Sequence, residues 1–177
     1  IVVGGIGFLT WDDIRTNGRH LHHYRMQSKV ILATTAVLIV VPAVWFFFDE
    51  FSALPLGERG GKRMFQSVTP RTAGFYTADL TSLSGLALAV TIVLMLIGGS
   101  PGSTAGGMKT TTVAVLFANA IAVFRRREEG RFFGRRISVK ASCDAAAILL
   151  LYLTLFFFGG FIISSVEGLP LADCLFE

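Results

Sequence analysis

Two long stretches without a charge constrain this chain more than any other feature. From Val30 to Phe48 the residues are apolar apart from a pair of threonines, and from Ala145 to Val166 the chain again runs uncharged through Leu149-Leu150-Leu151 and Phe156-Phe157-Phe158. About 20 apolar residues in helix cover the roughly 30 Å hydrocarbon core of a bilayer. Both stretches therefore read as membrane spans. Pro42 within the first is tolerable there, because neighbouring helices re-satisfy the carbonyl it frees. A third, interrupted span begins near Leu83 and passes Gly85 to Ile97. It meets the small-residue run Gly98 to Gly107 and resumes from Val113 to Phe124. Ile1 to Thr10 reads as the tail of a further helix. Composition agrees with this reading: charged residues make up 16% and mean hydropathy is +0.63, whereas a soluble domain carries about 25% charge.

Orientation follows from the basic residues. The loops 11–29 and 125–140 together carry net +7, while 49–79 and 167–177 carry net −3. The positive-inside bias places the basic loops, 11–29 and 125–144, in the cytoplasm and the segments 49–80 and 167–177 outside. The overall charge of +4 and pI of about 9.4 are thus explained by a membrane, and no nucleic-acid partner is expected. No charged n-region and cleavage site precede an apolar core, and the opening Ile1-Val2-Val3-Gly4-Gly5 reads as mid-chain. The expectation is a piece of a larger integral membrane protein.

Two segments carry chemistry. The first joins two spans on the outside, between Asp49 and Leu80, and is long for a plain connection. Gly61-Lys62-Arg63-Met64-Phe65-Gln66-Ser67-Val68 is compatible with two helical turns. Thr69-Pro70-Arg71-Thr72-Ala73-Gly74-Phe75 then stops the helix and relaxes the backbone. A short helix, a turn and an extended Thr-x-Gly-aromatic run make a re-entrant pore loop, whose consecutive carbonyls replace a cation's hydration shell. An ordinary structured extracellular loop fits the same residues. The second segment is Gly98-Gly99-Ser100-Pro101-Gly102-Ser103-Thr104-Ala105-Gly106-Gly107-Met108-Lys109-Thr110, with five glycines and a proline. Proline alone disfavours a helix interior by about 3 kcal/mol. Because apolar sequence resumes afterwards, the break falls within the membrane, as in transporters with discontinuous helices. Lys109 there needs a polar path or a partner. A cytoplasmic hairpin between two short helices is the alternative. The run approaches a P-loop, but Met108 stands between Gly107 and Lys109 and no strand precedes it.

At these two motifs the chain resembles the membrane subunit of the Trk/Ktr/HKT superfamily of potassium transporters. Phe65-Gln66-Ser67-Val68 leading into Arg71-Thr72-Ala73-Gly74-Phe75 is similar to that family's third pore loop. Met95 to Ser103, continuing through Gly106-Gly107-Met108-Lys109-Thr110-Thr111, is similar to its glycine-rich intramembrane loop. Gly4-Gly5-Ile6-Gly7-Phe8 before Trp11-Asp12 is similar to the end of its second repeat. The resemblance implies an all-α integral membrane protein of helix–pore-loop–helix repeats, with a re-entrant pore loop and a broken transmembrane helix. Residues 1–29 would end the second repeat and form a cytoplasmic loop. Residues 30–124 would be the third repeat, 125–144 a basic cytoplasmic loop, and 145–177 the first helix of the fourth.

The resemblance further implies a selectivity filter at Thr72, Ala73, Gly74 and Phe75, with Arg71 behind it. A gating loop would lie below, made of Gly98, Gly99, Ser100, Gly102, Ser103, Thr104, Gly106, Gly107 and Lys109. Potassium would be the substrate and no cofactor belongs to this chain. The partners would be the lipid bilayer, a second copy in a homodimer and a cytosolic nucleotide-binding regulatory subunit, in a multi-pass plasma (inner) membrane protein.

Other residues have plainer readings. His20, His22 and His23 sit in a basic loop without metal-site spacing, and Cys143 and Cys174 lie at opposite ends of the last apolar helix. Asp144 reads as a favourable charge at that helix's N-terminus. Arg125 to Arg127 suit anionic lipid or a regulatory subunit. No catalytic constellation is visible, so no enzyme is expected. The competing function is a secondary transporter binding a small anionic solute at half-helix N-termini.

Overall fold

The computed structural model describes residues 2–18, 20–48, 68–70, 85–127 and 129–176. Helices dominate them. In chain order they are α1 (Val2–Gly5), α2 (Phe8–Asn17), a 3-10 turn at Leu21–His23, α3 (Met26–Phe48), α4 (Gly85–Leu96), α5 (Thr110–Phe124), α6 (Val139–Glu167) and α7 (Leu171–Phe176). One small hairpin, β1 (Arg131–Phe132) with β2 (Arg135–Arg136), departs from the all-α expectation. Phe133 and Gly134 between the strands both have positive φ, the backbone a tight hairpin turn requires.

Among the described residues two helices, α3 and α6, are long and apolar enough to cross a membrane. At 1.5 Å per residue, the 29 residues of α6 extend about 43 Å, more than the roughly 30 Å core. The 12 residues of α4 and the 15 of α5 reach only about 18 and 22 Å, so neither spans alone. The third expected span is therefore two separate helices with thirteen non-helical residues, 97–109, between them.

The chain divides into two compact units, Ile1–Ala114 with Phe132–Gly134, and Val115–Arg131 with Arg135–Glu177. In the first, α3 packs on α2 and α4. Of its buried residues, Ser28, Ile31, Thr35, Pro42 and Phe46 fall on one stripe, while Val30, near the start of the helix, is buried on the opposite side. On α4 the same logic selects Ala87, Thr91 and Leu94. In the second unit α7 folds back along α6. Gly168, with φ +69, ends α6 in a left-handed cap, and its N–H bonds the Ser164 carbonyl at 2.9 Å. Apart from Ala145 and Gly160, α6 is not buried, and Leu150, Leu151, Leu155, Phe158 and Phe161 are exposed. A helix apolar on every side, with those sides uncovered, has lipid rather than water as its natural surroundings.

Three sequence expectations change in detail. The helix of Ile1 to Thr10 does not end at Thr10. It breaks after Gly5 and restarts as α2 to Asn17, so part of the 11–29 loop is helical. The last span starts at Val139, not Ala145, because Ser138 caps it: the Ser138 hydroxyl accepts the Ala141 N–H at 3.2 Å. Asp144 consequently lies beyond the first turn, and Ser138 satisfies the helix end that the sequence assigned to Asp144. Cys174 belongs to the separate helix α7 and is buried, while Cys143 on α6 is exposed.

Candidate functional site

The expected filter residues Thr72, Ala73, Gly74 and Phe75, and Arg71 beside them, lie outside the described residues, as does the short helix before them except for its end at Val68. Val68, Thr69 and Pro70 are all buried. The Thr69 hydroxyl has no hydrogen-bond partner among the described residues, although the side chain is only 2% exposed. The glycine loop, by contrast, is described throughout.

That loop is closed by the two helices it separates. A helix leaves its last carbonyls and first N–H groups without internal partners, and here the loop's own backbone supplies a partner at each end. The Met108 N–H bonds the Leu96 carbonyl at 3.0 Å, the Gly98 N–H bonds the Met108 carbonyl at 3.0 Å, and the Thr110 N–H at the head of α5 bonds the Gly99 carbonyl at 3.1 Å. Ile97 and Met108 form a parallel bridge. The two ends approach so closely that a Cβ on Gly98 would stand 1.6 Å from the Gly106 carbonyl oxygen. Glycine is required there by space alone.

Side chains tighten the closure. The hydroxyls of Ser100 and Thr110, both fully buried, lie 3.0 Å apart. The Ser103 hydroxyl donates to the Ser100 carbonyl at 2.6 Å. Lys109, half-buried, donates its ammonium to the Ala105 carbonyl at 2.8 Å, which ties the head of α5 back to the loop. Of the expected gating residues, the structure thus joins Gly98, Gly99, Ser100, Ser103, Gly106, Gly107 and Lys109 in one knot; Gly102, Thr104 and Gly106 are its exposed members.

The knot is anchored on the break between α1 and α2, a role the sequence did not assign to that segment. The helix interruption at Gly5-Ile6-Gly7 frees backbone groups, and the glycine loop claims two of them. The Ser100 N–H bonds the Gly5 carbonyl at 2.9 Å, and the Phe8 N–H, the first of α2, bonds the Gly102 carbonyl at 3.4 Å. The Trp11 indole takes the Val3 carbonyl at 2.9 Å, tying α2 back to α1 across the break. Gly7 has φ +86, and a Cβ there would lie 2.4 Å from the Pro101 carbonyl oxygen. The only sequence signal for this junction was the small-residue run Gly4-Gly5-Ile6-Gly7 itself.

Beyond the anchor, α2 meets α3 at a buried carboxylate. Asp13 is 4% exposed; its Oδ2 accepts the Ser28 hydroxyl and the Arg25 N–H at 3.1 Å, with the Arg25 Nε 3.5 Å from Oδ1. The Ser28 hydroxyl foremost, then the Arg25 N–H and guanidinium, hold its pKa below the ordinary carboxylate value, against the opposing effect of burial. The Tyr24 hydroxyl closes the same turn on the Gly18 carbonyl. Sequence reading counted Asp13 only as a loop charge.

Comparison with known proteins gives the family. The TrkH family of cation transport proteins matches over residues 22–177. The chain is 37% identical over 175 residues to a potassium/sodium uptake protein, NtpJ, of Enterococcus hirae, covering 96% of this chain and 39% of that protein. It is 32% identical over 182 residues to Ktr system potassium uptake protein B of Bacillus subtilis, covering 99% and 41%. It is 33% identical over 156 residues to the protein of the same name in Vibrio alginolyticus, covering 84% and 34%. The chain thus spans about two fifths of the length of its relatives, which are transport proteins and not enzymes. A chain with membrane-length helices, an interrupted helix pair and these matches belongs to the TrkH cation-transport family, within the Trk/Ktr superfamily of potassium-transporter membrane subunits.

Proposed function

We propose that this chain forms the third-repeat region of a membrane pore that takes up potassium, with the loop 97–109 as its gate. The observation that carries the reading is the interruption itself. Two apolar helices, each too short to span, are joined by a glycine loop whose polar groups are satisfied internally and on the α1–α2 break. Irregular backbone at membrane depth needs such internal satisfaction, and the relatives' names, potassium or potassium/sodium uptake proteins, supply the substrate class.

In this reading the carbonyls of Thr72, Ala73 and Gly74, with Phe75 beside them, line a quarter of the selectivity filter. The glycine loop lies across the path below it, and opening requires the Ser100–Thr110 and Lys109–Ala105 bonds to part. Residues 1–29 end the second repeat and 145–177 begin the fourth. Loops 11–29 and 125–144 face the cytoplasm, while 49–80 and 167–177 face outward. The whole protein works as a homodimer with a cytosolic nucleotide-binding regulatory subunit. A solute carrier has no use for the Thr72-Ala73-Gly74-Phe75 sequence, and uptake of a metal cation is the function that the relatives' names share.

Rubidium uptake by the full-length protein, native against Gly74→Ser, tests the filter. Loss of flux, or admission of sodium, is expected. Unchanged uptake and selectivity would move the filter elsewhere. The gate is tested by Lys109→Gln, which removes the charge and weakens the bond to Ala105: uptake should rise. Equal or lower uptake would leave Lys109 with a structural role only.

A further inference from the structure

We propose that the arginine hairpin joining α5 to α6 holds the phosphate headgroup of an anionic phospholipid. The chain leaving α5 turns sharply at Arg126, whose φ is +51, and the Arg127 N–H caps the helix on the Ala122 carbonyl at 2.8 Å. It then returns against the same helix: a Cβ on Gly130 would lie 2.6 Å from the Asn119 Oδ1, and the Ile137 N–H bonds the Gly130 carbonyl at 3.0 Å. Buried Ile137 and Gly130 thus fix the base of the hairpin. Above that base, Arg127, Arg131, Arg136 and Glu129 line a cleft of about 320 Å³.

Three permanently charged guanidiniums face one carboxylate there. Arg136 is paired with Glu129 at 3.6 Å, while Arg127 and Arg131 have no ion-pair partner among the described residues and add two positive charges to the cleft. Guanidinium forks match phosphate oxygens in geometry and charge. A lipid is favoured over a soluble anion by what flanks the cleft. Val123 and Phe124 at the end of α5, and Val139 at the start of α6, are 74%, 89% and 64% exposed. Apolar residues thus stand uncovered at the two helix ends between which the arginines lie. This is the arrangement of a segment at the boundary of hydrocarbon and headgroups, where juxtamembrane arginines meet the negative surface of a leaflet. The proposal rests on the membrane placement given above, but it is read by lipid retention rather than ion flux, so its failure and that of the pore reading are told apart.

The full-length protein in neutral detergent is titrated with phosphatidylglycerol, phosphatidylcholine or inorganic phosphate and examined by native mass spectrometry. The native protein should retain phosphatidylglycerol in preference to phosphatidylcholine. Arg127→Gln or Arg131→Gln should each weaken retention about fivefold, and the pair roughly 30-fold, at about 1 kcal/mol per arginine. Both variants leave the Arg136–Glu129 pair intact. Arg15→Gln, an exposed arginine on α2, should change nothing. Undiminished retention in the double variant, or an equal loss in Arg15→Gln, would overturn the proposal. Displacement of the lipid by inorganic phosphate at equal concentration would make this a free-anion site and overturn the lipid assignment. No lipid retention, with loss of a co-purifying protein in the double variant, would assign the face to a protein instead.

Discussion

A methyl group at position 98 would collide with backbone, and one at position 160 would not, although both residues are glycines with a close neighbour. The Gly98 Cβ would meet the Gly106 carbonyl at 1.6 Å, whereas the Gly160 Cβ would meet the Leu175 Cδ2 at 2.4 Å. A carbonyl held in a closed loop does not give way, while a leucine methyl does by rotating. Gly98→Ala should therefore destabilise the loop by about 3 kcal/mol or more and abolish uptake. Gly160→Ala, inside α6, should be close to neutral, because alanine's helix preference of about 1 kcal/mol offsets the repacking. Thermal unfolding of the full-length protein, with uptake measured beside it, separates the two. Asp13 adds a pH dependence. Its folded pKa lies below the ordinary value of about 3.9, so the stability it lends is complete above that value and is lost as pH falls through the lowered one. Asp13→Ala, which leaves the Ser28 hydroxyl and the Arg25 N–H without their acceptor, should cost on the order of 1–3 kcal/mol and remove that acid-side loss. An unchanged acid limb would mean that Asp13 does not hold the α2–α3 turn.

At the scale of elements, the loop between α4 and α5 behaves as a two-ended cap. Ser100 and Thr110 are buried partners, so removing one hydroxyl leaves the other without water or protein. Ser100→Ala or Thr110→Val alone should each destabilise the protein by about 1–3 kcal/mol, and the double variant by less than the sum. Additive losses would show that the two hydroxyls do not meet. Both short helices were legible as apolar runs, and the break between them was legible from Gly98 to Gly107. Unreadable from spacing was the loop's attachment to Gly5 and Phe8, since backbone hydrogen bonds between segments some ninety residues apart leave no mark in side-chain type. The Ser138 cap is illegible for a different reason: Lys140 and Asp144 lie within the first two turns of α6, so the uncharged run begins only at Ala145 although the helix begins at Val139.

For the whole molecule, orientation is the property that thiol chemistry reads most directly. With Cys143 and Cys174 replaced by serine, Leu169→Cys should react with a membrane-impermeant thiol reagent on intact cells. Arg135→Cys, at the other end of α6, should react only after permeabilisation. The reverse pattern would invert the positive-inside reading. The 29 residues of α6 are long enough to put both positions clear of the hydrocarbon, and Leu169 is 48% exposed.

The sequence by itself determined which runs are apolar enough to lie in hydrocarbon and, through its clustered arginines, which loops the positive-inside bias assigns to the cytoplasm. It also determined where a helix could not continue, because glycine and proline act on the backbone locally. Only the tertiary structure decided what those breaks are for. The broken end at Gly5-Ile6-Gly7 became the anchor of a loop far along the chain, Lys109 found its partner in the carbonyl of Ala105, and Asp13 turned from a loop charge into a buried acceptor joining α2 to α3. Each of these depends on which unsatisfied backbone or polar group lies nearest once the helices pack, a distance in space that the order of residues does not contain.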